Sequence, residues 1–146
     1  MAILLKSTGT DKKTMTTGKI ITKHYDMGDI SINKKFNRCS ITYKMDGSGI
    51  SPLAVTYKLD ERGSFKPFTA TPSSPFSVYD GGARLCRTNG RIKTAEFDFI
   101  NGKAFGKVVQ IRIMYSTYGM SYNSPTGIEG FELSDITFTY RPINRN

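Results

Sequence analysis

The sequence predicts an all-β domain: an antiparallel two-sheet β-sandwich, jelly-roll-like or immunoglobulin-like, of about eight strands with an extended N-terminal arm. Three observations predict it. Apolar residues alternate with polar ones in run after run, the period of strands with one wet face. No stretch carries apolar residues at i, i+3, i+4 and i+7 over several turns, so no substantial helix is expected. Lastly, 14 Gly and 6 Pro punctuate the chain at short intervals, while 9 Phe and 8 Tyr supply the aromatics that pleated sheets favour. At 146 residues the chain is one domain, and such a length buries about 68–70% of its unfolded surface. We divide it into an arm, residues 1–18, and a single sandwich, residues 19–146.

The arm reads "MAILLKSTGTDKKTMTTG". After an apolar start it is rich in Thr and Lys and keeps no period, so it is expected to be extended, with a short strand at Ile3 to Leu5. From Lys19 the pattern becomes β. In "NRCSITYKMD", Cys39, Ile41, Tyr43 and Met45 alternate with polar residues, and "DGSG" follows as a turn. In "PLAVTYKLD", Leu53, Val55, Tyr57 and Leu59 share one parity. These two runs are expected to pair as an antiparallel hairpin. "SFKPFTATP" carries Pro67, which suits an edge or irregular strand. The stretch "PSSPFSVYDGGARLCRTNG" reads as a long connection with a short strand near Phe76 and Val78. "RIKTAEFDF" places Ala95, Phe97 and Phe99 on one face, and "KVVQIRIMYS" does the same with Val109, Ile111, Ile113 and Tyr115. The last run, "GFELSDITFTYRP", slips parity: Phe131 and Leu133 lie on one, Ile136, Phe138 and Tyr140 on the other. A β-bulge near Ser134, or a strand crossing between sheets, produces such a slip. Pro142 ends the pairing.

The formal net charge is +9. Nucleic acid is compatible with that balance but not favoured, because the cations are dispersed. Residues 1–46 hold nine Lys/Arg and four Asp/Glu, and the rest hold twelve and eight. Only short pairs such as Lys12-Lys13 occur. Cys39 and Cys86 are too far apart for a CxxC motif, and with one His the chain supplies no zinc set. Free thiols in a reducing compartment are expected, though a disulfide is open to them. No segment approaches the roughly 20 apolar residues of a membrane helix, and Ala2 to Leu5 is too short for a secretory h-region. No membrane, metal or cofactor is therefore expected.

An enzyme is not expected either. His24 sits between Lys23 and Tyr25 in a strand-like run, with no GxSxG and no nucleophile in a recognisable setting. The loop "YSTYGMSYNSPTG" offers Tyr115, Tyr118 and Tyr122 as an aromatic platform for a sugar or a protein. The plainer alternative ends a core strand at Tyr115 and leaves a loop tip, and the lack of Trp weakens the sugar reading.

Two stretches resemble a known family. "MGDISINKKFNRCSITYKMDGSG" is similar to a strand–turn–strand opening in structural proteins of tailed-bacteriophage virions, the pattern falling on Gly28, Ile30, Lys34, Phe36, Cys39, Ile41, Tyr43 and Lys44. "GFELSDITFTYRP" resembles the last strand of those same domains, through Phe131, Leu133, Asp135, Ile136, Phe138, Tyr140 and Arg141. The resemblance implies a β-sandwich of the tail or neck, nozzle or stabilisation type, without catalysis. It implies other virion proteins as partners, a symmetric oligomer on the particle, and assembly in the host cytoplasm. Capsid cement (decoration) and a glycan-binding module of a tail fibre are the alternatives. The residues expected to make assembly contacts are Ile3, Leu4, Leu5, Lys12, Lys13, Tyr118, Tyr122, Arg141 and Arg145.

Overall fold

A computed structural model of the chain describes residues 3–5, 18–47, 50–60, 63–68, 76–79, 82–99, 104–115 and 130–143. The described residues contain strands and no helix. The strands are β1 (Ile3–Leu5), β2 (Lys19–Ile21), β3 (Lys34–Lys44), β4 (Ile50–Leu59), β5 (Lys66–Pro67), β6 (Phe76–Tyr79), β7 (Gly82–Cys86), β8 (Lys93–Asp98), β9 (Phe105–Gly106), β10 (Val109–Tyr115) and β11 (Phe131–Pro142). They form two antiparallel sheets. The first runs β1-β11-β3-β8, with β9 also paired to β3; the second runs β2-β10-β4-β7-β6, with β5 also paired to β4. The strands exceed the expected number because β1 lies in the segment assigned to the arm, β9 is a two-residue piece at the margin and β7, hidden in the sequence by Gly82 and Arg84, was not anticipated.

The alternation dictates the layers. Cys39, Ile41, Tyr43 and Met45 of the first sheet and Leu53, Val55, Tyr57, Ile111 and Ile113 of the second are buried in one core cluster. An aromatic layer crosses between the sheets. The Phe99 ring lies 4.8 Å from Tyr57, 5.0 Å from Phe68 and 5.6 Å from Phe36 between centroids. The edge-to-face and tilted angles are those that ring quadrupoles favour.

The expected hairpin of residues 39–45 with 53–59 does not form. β3 pairs with β11 and β8, while β4 pairs with β10, β7 and β5. The chain crosses from one sheet to the other at Asp46 and Gly47. A strand with one dry face shows the same alternation whether its successor lies beside it or across the core, so parity could not distinguish the two.

The parity slip near the C-terminus is a bulge. Leu133 stands opposite Tyr43 and Asp135 opposite Thr42, leaving Ser134 as the extra residue, and β11 stays within its sheet throughout. A second irregularity lies between Thr139 and Tyr140, where Asn37 of β3 is the unmatched residue. It moves the buried set of β3 from Lys34 and Phe36 to Cys39 and Ile41.

Side chains tie the corners. Thr88 Oγ1 accepts from the Met45 N–H at 2.9 Å, and the Thr88 N–H donates to the Met45 carbonyl at 3.2 Å. Asp60, at φ 53°, accepts the N–H groups of Lys107 and Val108 at 2.7 and 3.0 Å. A Cβ on Gly106 would stand 3.1 Å from that carboxylate. Asp26 and Asp29 each cap the backbone two residues on, receiving Gly28 and Ser31 N–H at 2.9 and 2.8 Å. The bonds from Ser31, side chain first, hold the Asp29 carboxyl below the usual carboxylate range.

Both cysteines are free thiols, Cys39 buried and Cys86 partly so. Burial pushes the Cys39 thiol well above its ordinary pKa. The thiolate is the reactive form. Mildly alkaline iodoacetamide is therefore expected to alkylate Cys86 alone in the native protein and Cys39 only after denaturation, as read by peptide mass spectrometry. Native labelling of Cys39 at the rate of Cys86 would refute the packing around β3.

Candidate functional site

The sandwich presents two outer faces of different character. On the first sheet, opposed rows are mutually satisfied. Arg38 donates from Nε to Asp98 Oδ1 at 2.9 Å and from Nη1 to Glu96 Oε2 at 3.2 Å. The Thr42 and Thr94 hydroxyls are 3.0 Å apart, and Lys44 meets Glu132 at 3.1 Å. These exposed pairs contribute little to stability; they define a neutral polar surface.

One end of this face is different. Lys35 stands directly opposite Arg141 on β11 and Phe105 on β9. Lys35 Nζ lies 6.0 Å from the centre of the Phe105 ring, and that ring is 48% exposed. Two cations facing each other across a ladder repel, so the register leaves this row receptive to an acidic group. An exposed aromatic beside an arginine is also the composition of interface hot spots.

The second sheet carries a one-sided charge. Its strands hold Lys19, Lys58, Lys66, Arg84 and Arg112 and no Asp or Glu, whereas the strands of the first sheet hold Glu96, Asp98, Glu132 and Asp135. Ile21, Arg112 and Thr56 lie in one cross-strand row. The Arg112 guanidinium sits 4.5 Å from the centre of the Phe65 ring and Lys58 Nζ 5.6 Å from it. Arg112 Nε donates to Thr56 Oγ1 at 3.2 Å. Ile21 is 44% exposed beside them. Arg84 is fully buried, and Lys66 stands opposite the core residue Tyr57, so neither belongs to the open face.

Of the residues expected to make assembly contacts, Arg141 is exposed and belongs to the row with Lys35 and Phe105. Ile3, Leu4 and Leu5 pair through their backbone with Leu133, Glu132 and Phe131 of the same chain. The first sheet thus draws in part of the segment read as an arm. Lys12, Lys13, Tyr118, Tyr122 and Arg145 lie outside the described residues, as does most of the tyrosine loop. His24 is exposed. Among the described residues no group of three or more His, Cys, Asp and Glu stands close enough to hold a metal ion, and no helix is long and apolar enough to cross a membrane. Sequence reasoning missed Lys35, Phe105, Phe65, Lys58 and Arg112. Their only signal was an aromatic near a cation, which gains meaning once strand partners are known.

Comparisons with protein-family models, with curated proteins and with solved structures return no match.

Proposed function

We propose that the chain is a non-catalytic structural subunit of a tailed-bacteriophage virion, held at the tail or neck by protein–protein contacts. The observation that carries this reading is the pairing of β3 with β11. The two stretches that resemble phage virion domains lie far apart in sequence, yet they pair with each other from Glu132–Lys44 to Pro142–Lys34, through two bulges. The residues of the resemblance have matching structural duties: Phe36, Cys39, Ile41, Tyr43, Phe131 and Leu133 fill the core, and Lys34 and Gly28 shape the entry to β3.

The strand order adds support. Leaving aside β5, β6 and β9, the sheets read β1-β11-β3-β8 and β2-β10-β4-β7. We read this as a jelly roll, an architecture that recurs in viral capsid and lectin domains. The immunoglobulin arrangement instead sets consecutive strands side by side within a sheet. Free thiols suit assembly in a reducing cytoplasm. The row of Phe105, Lys35 and Arg141 supplies a docking patch for an acidic face of a neighbouring subunit.

Particles purified from cells making the chain are expected to carry it through a density gradient. The double substitution Lys35→Glu/Arg141→Glu is expected to lower its occupancy at least about tenfold, since like charges at an interface are strongly disfavoured. Absence of the unaltered chain from particles would overturn the proposal. Full occupancy of the variant would remove the patch from it.

A further inference from the structure

We infer that the outer face of the second sheet binds the phosphate backbone of nucleic acid without reading its sequence. The site is Lys58 and Arg112 set around Phe65, with Lys19 and Ile21 alongside on β2. This inference rests on observations separate from the particle proposal, and on the opposite side of the sandwich from the Lys35–Arg141 row.

Charge complementarity carries it. Of the cations on these strands, Lys19, Lys58 and Arg112 lie on the outer face, and the strands hold no carboxylate, so no ion pair within the sheet neutralises them. The first sheet pairs Arg38 with Glu96 and Asp98 and Lys44 with Glu132. Lys19, Lys58 and Arg112, far apart when read along the chain, are brought together by the topology on this face.

The arrangement also selects the kind of anion. Lys19, Arg112 and Lys58 lie on three adjacent strands, β2, β10 and β4. Lys19 stands opposite Met114 and Lys58 opposite Gln110, so the three lie on a diagonal, about 10 Å across the strands and about 13 Å along them, a length over which one strand of a duplex presents several phosphates. Arg112 is held by the Thr56 hydroxyl and by the Phe65 ring, and Lys58 by the same ring. Two side chains that would otherwise be mobile are thus pre-set, which lowers the ordering cost of binding. Lysines act as point charges toward phosphate. Contacts of this kind position a nucleic acid but do not specify its sequence.

The test uses the full chain and a short fluorescein-labelled DNA duplex of mixed sequence, followed by anisotropy over a range of NaCl. Binding is expected at low salt, with log affinity falling linearly against log salt. Lys58→Gln/Arg112→Gln is expected to weaken binding at least about tenfold and to flatten the salt slope by about two, the loss of two phosphate contacts. Lys35→Gln/Arg141→Gln removes the same charge from the other face and is expected to change affinity less than about twofold. Lys19→Gln alters only an exposed side chain; it provides a well-folded second variant, checked by circular dichroism, and is expected to weaken binding as well. Equal losses from the two faces would reduce the effect to net charge and overturn the site. So would an absence of binding at low salt. Tighter binding of heparin or of an acidic polypeptide than of DNA at equal charge would overturn the nucleic-acid assignment.

Discussion

Phe99→Ala is expected to destabilise the fold by about 3–5 kcal/mol, the range for removing a fully buried phenylalanine. Phe99 follows β8 and is 3% exposed. Its ring touches four others: Tyr57 and Phe68 from the second sheet, Phe36 and Phe138 from the first. Its N–H donates to the carbonyl of Asn37, the bulged residue of β3. Removing the ring empties the junction where the two sheets meet, and the surrounding rings are pinned by their own strands, so little collapse can fill it. Urea denaturation followed by circular dichroism measures the loss. A shift below about 1 kcal/mol would mean that the aromatic layer is not a shared core.

The second large effect is expected at Lys34. This lysine is 2% exposed, and its ammonium donates to the carbonyls of Asp29 at 2.5 Å and Lys107 at 2.8 Å. It joins the loop before β3 to the turn before β10. Hydrogen bonds to a charged group are worth about 1.5–3 kcal/mol each. Desolvation of the ammonium offsets part of that sum. Lys34→Met keeps the length and apolar stem but strands two carbonyls, and is expected to cost about 2–4 kcal/mol. Lys34→Arg is expected to recover part of the loss, since it retains the charge and the donors. Equal stability of Lys34→Met and the parent in urea would show that water replaces the ammonium.

What the sequence made legible was whatever repeats along one strand. Cys39 to Met45, Leu53 to Leu59 and Val109 to Ile113 alternate because each strand wets one face, and all lie as the alternation requires. The bulge at Ser134 was legible for the same reason, since an inserted residue breaks parity in plain view. Its counterpart at Asn37 left the same trace, Phe36 and Cys39 three apart, but the lysines around it concealed the break. Lys34 is core-facing despite its charge. Partnership between strands was not legible. The residues of β3 say nothing of whether β4 lies beside them or across from them, and the turn residues Asp46 and Gly47 serve either course. The two outer faces were hidden for the same reason, because Phe65 meets Arg112, and Lys35 meets Arg141, only through long-range pairing.

The place of β11 has a consequence for the order in which the molecule is made. β11 lies between β1 and β3, the first and third strands to be synthesised, and it is the last of the described strands to leave the ribosome. Until then the first sheet lacks its middle, and β3 is left with one long edge unpaired. A nascent chain in that condition displays a bare ladder of amides and carbonyls, the kind of edge that other chains join. Folding must therefore close on a contact of very long sequence separation, which places the chain among slow folders. Stalled or truncated products that end before Phe131 are consequently a hazard to their neighbours in the cell, and clients for chaperones rather than partly working molecules.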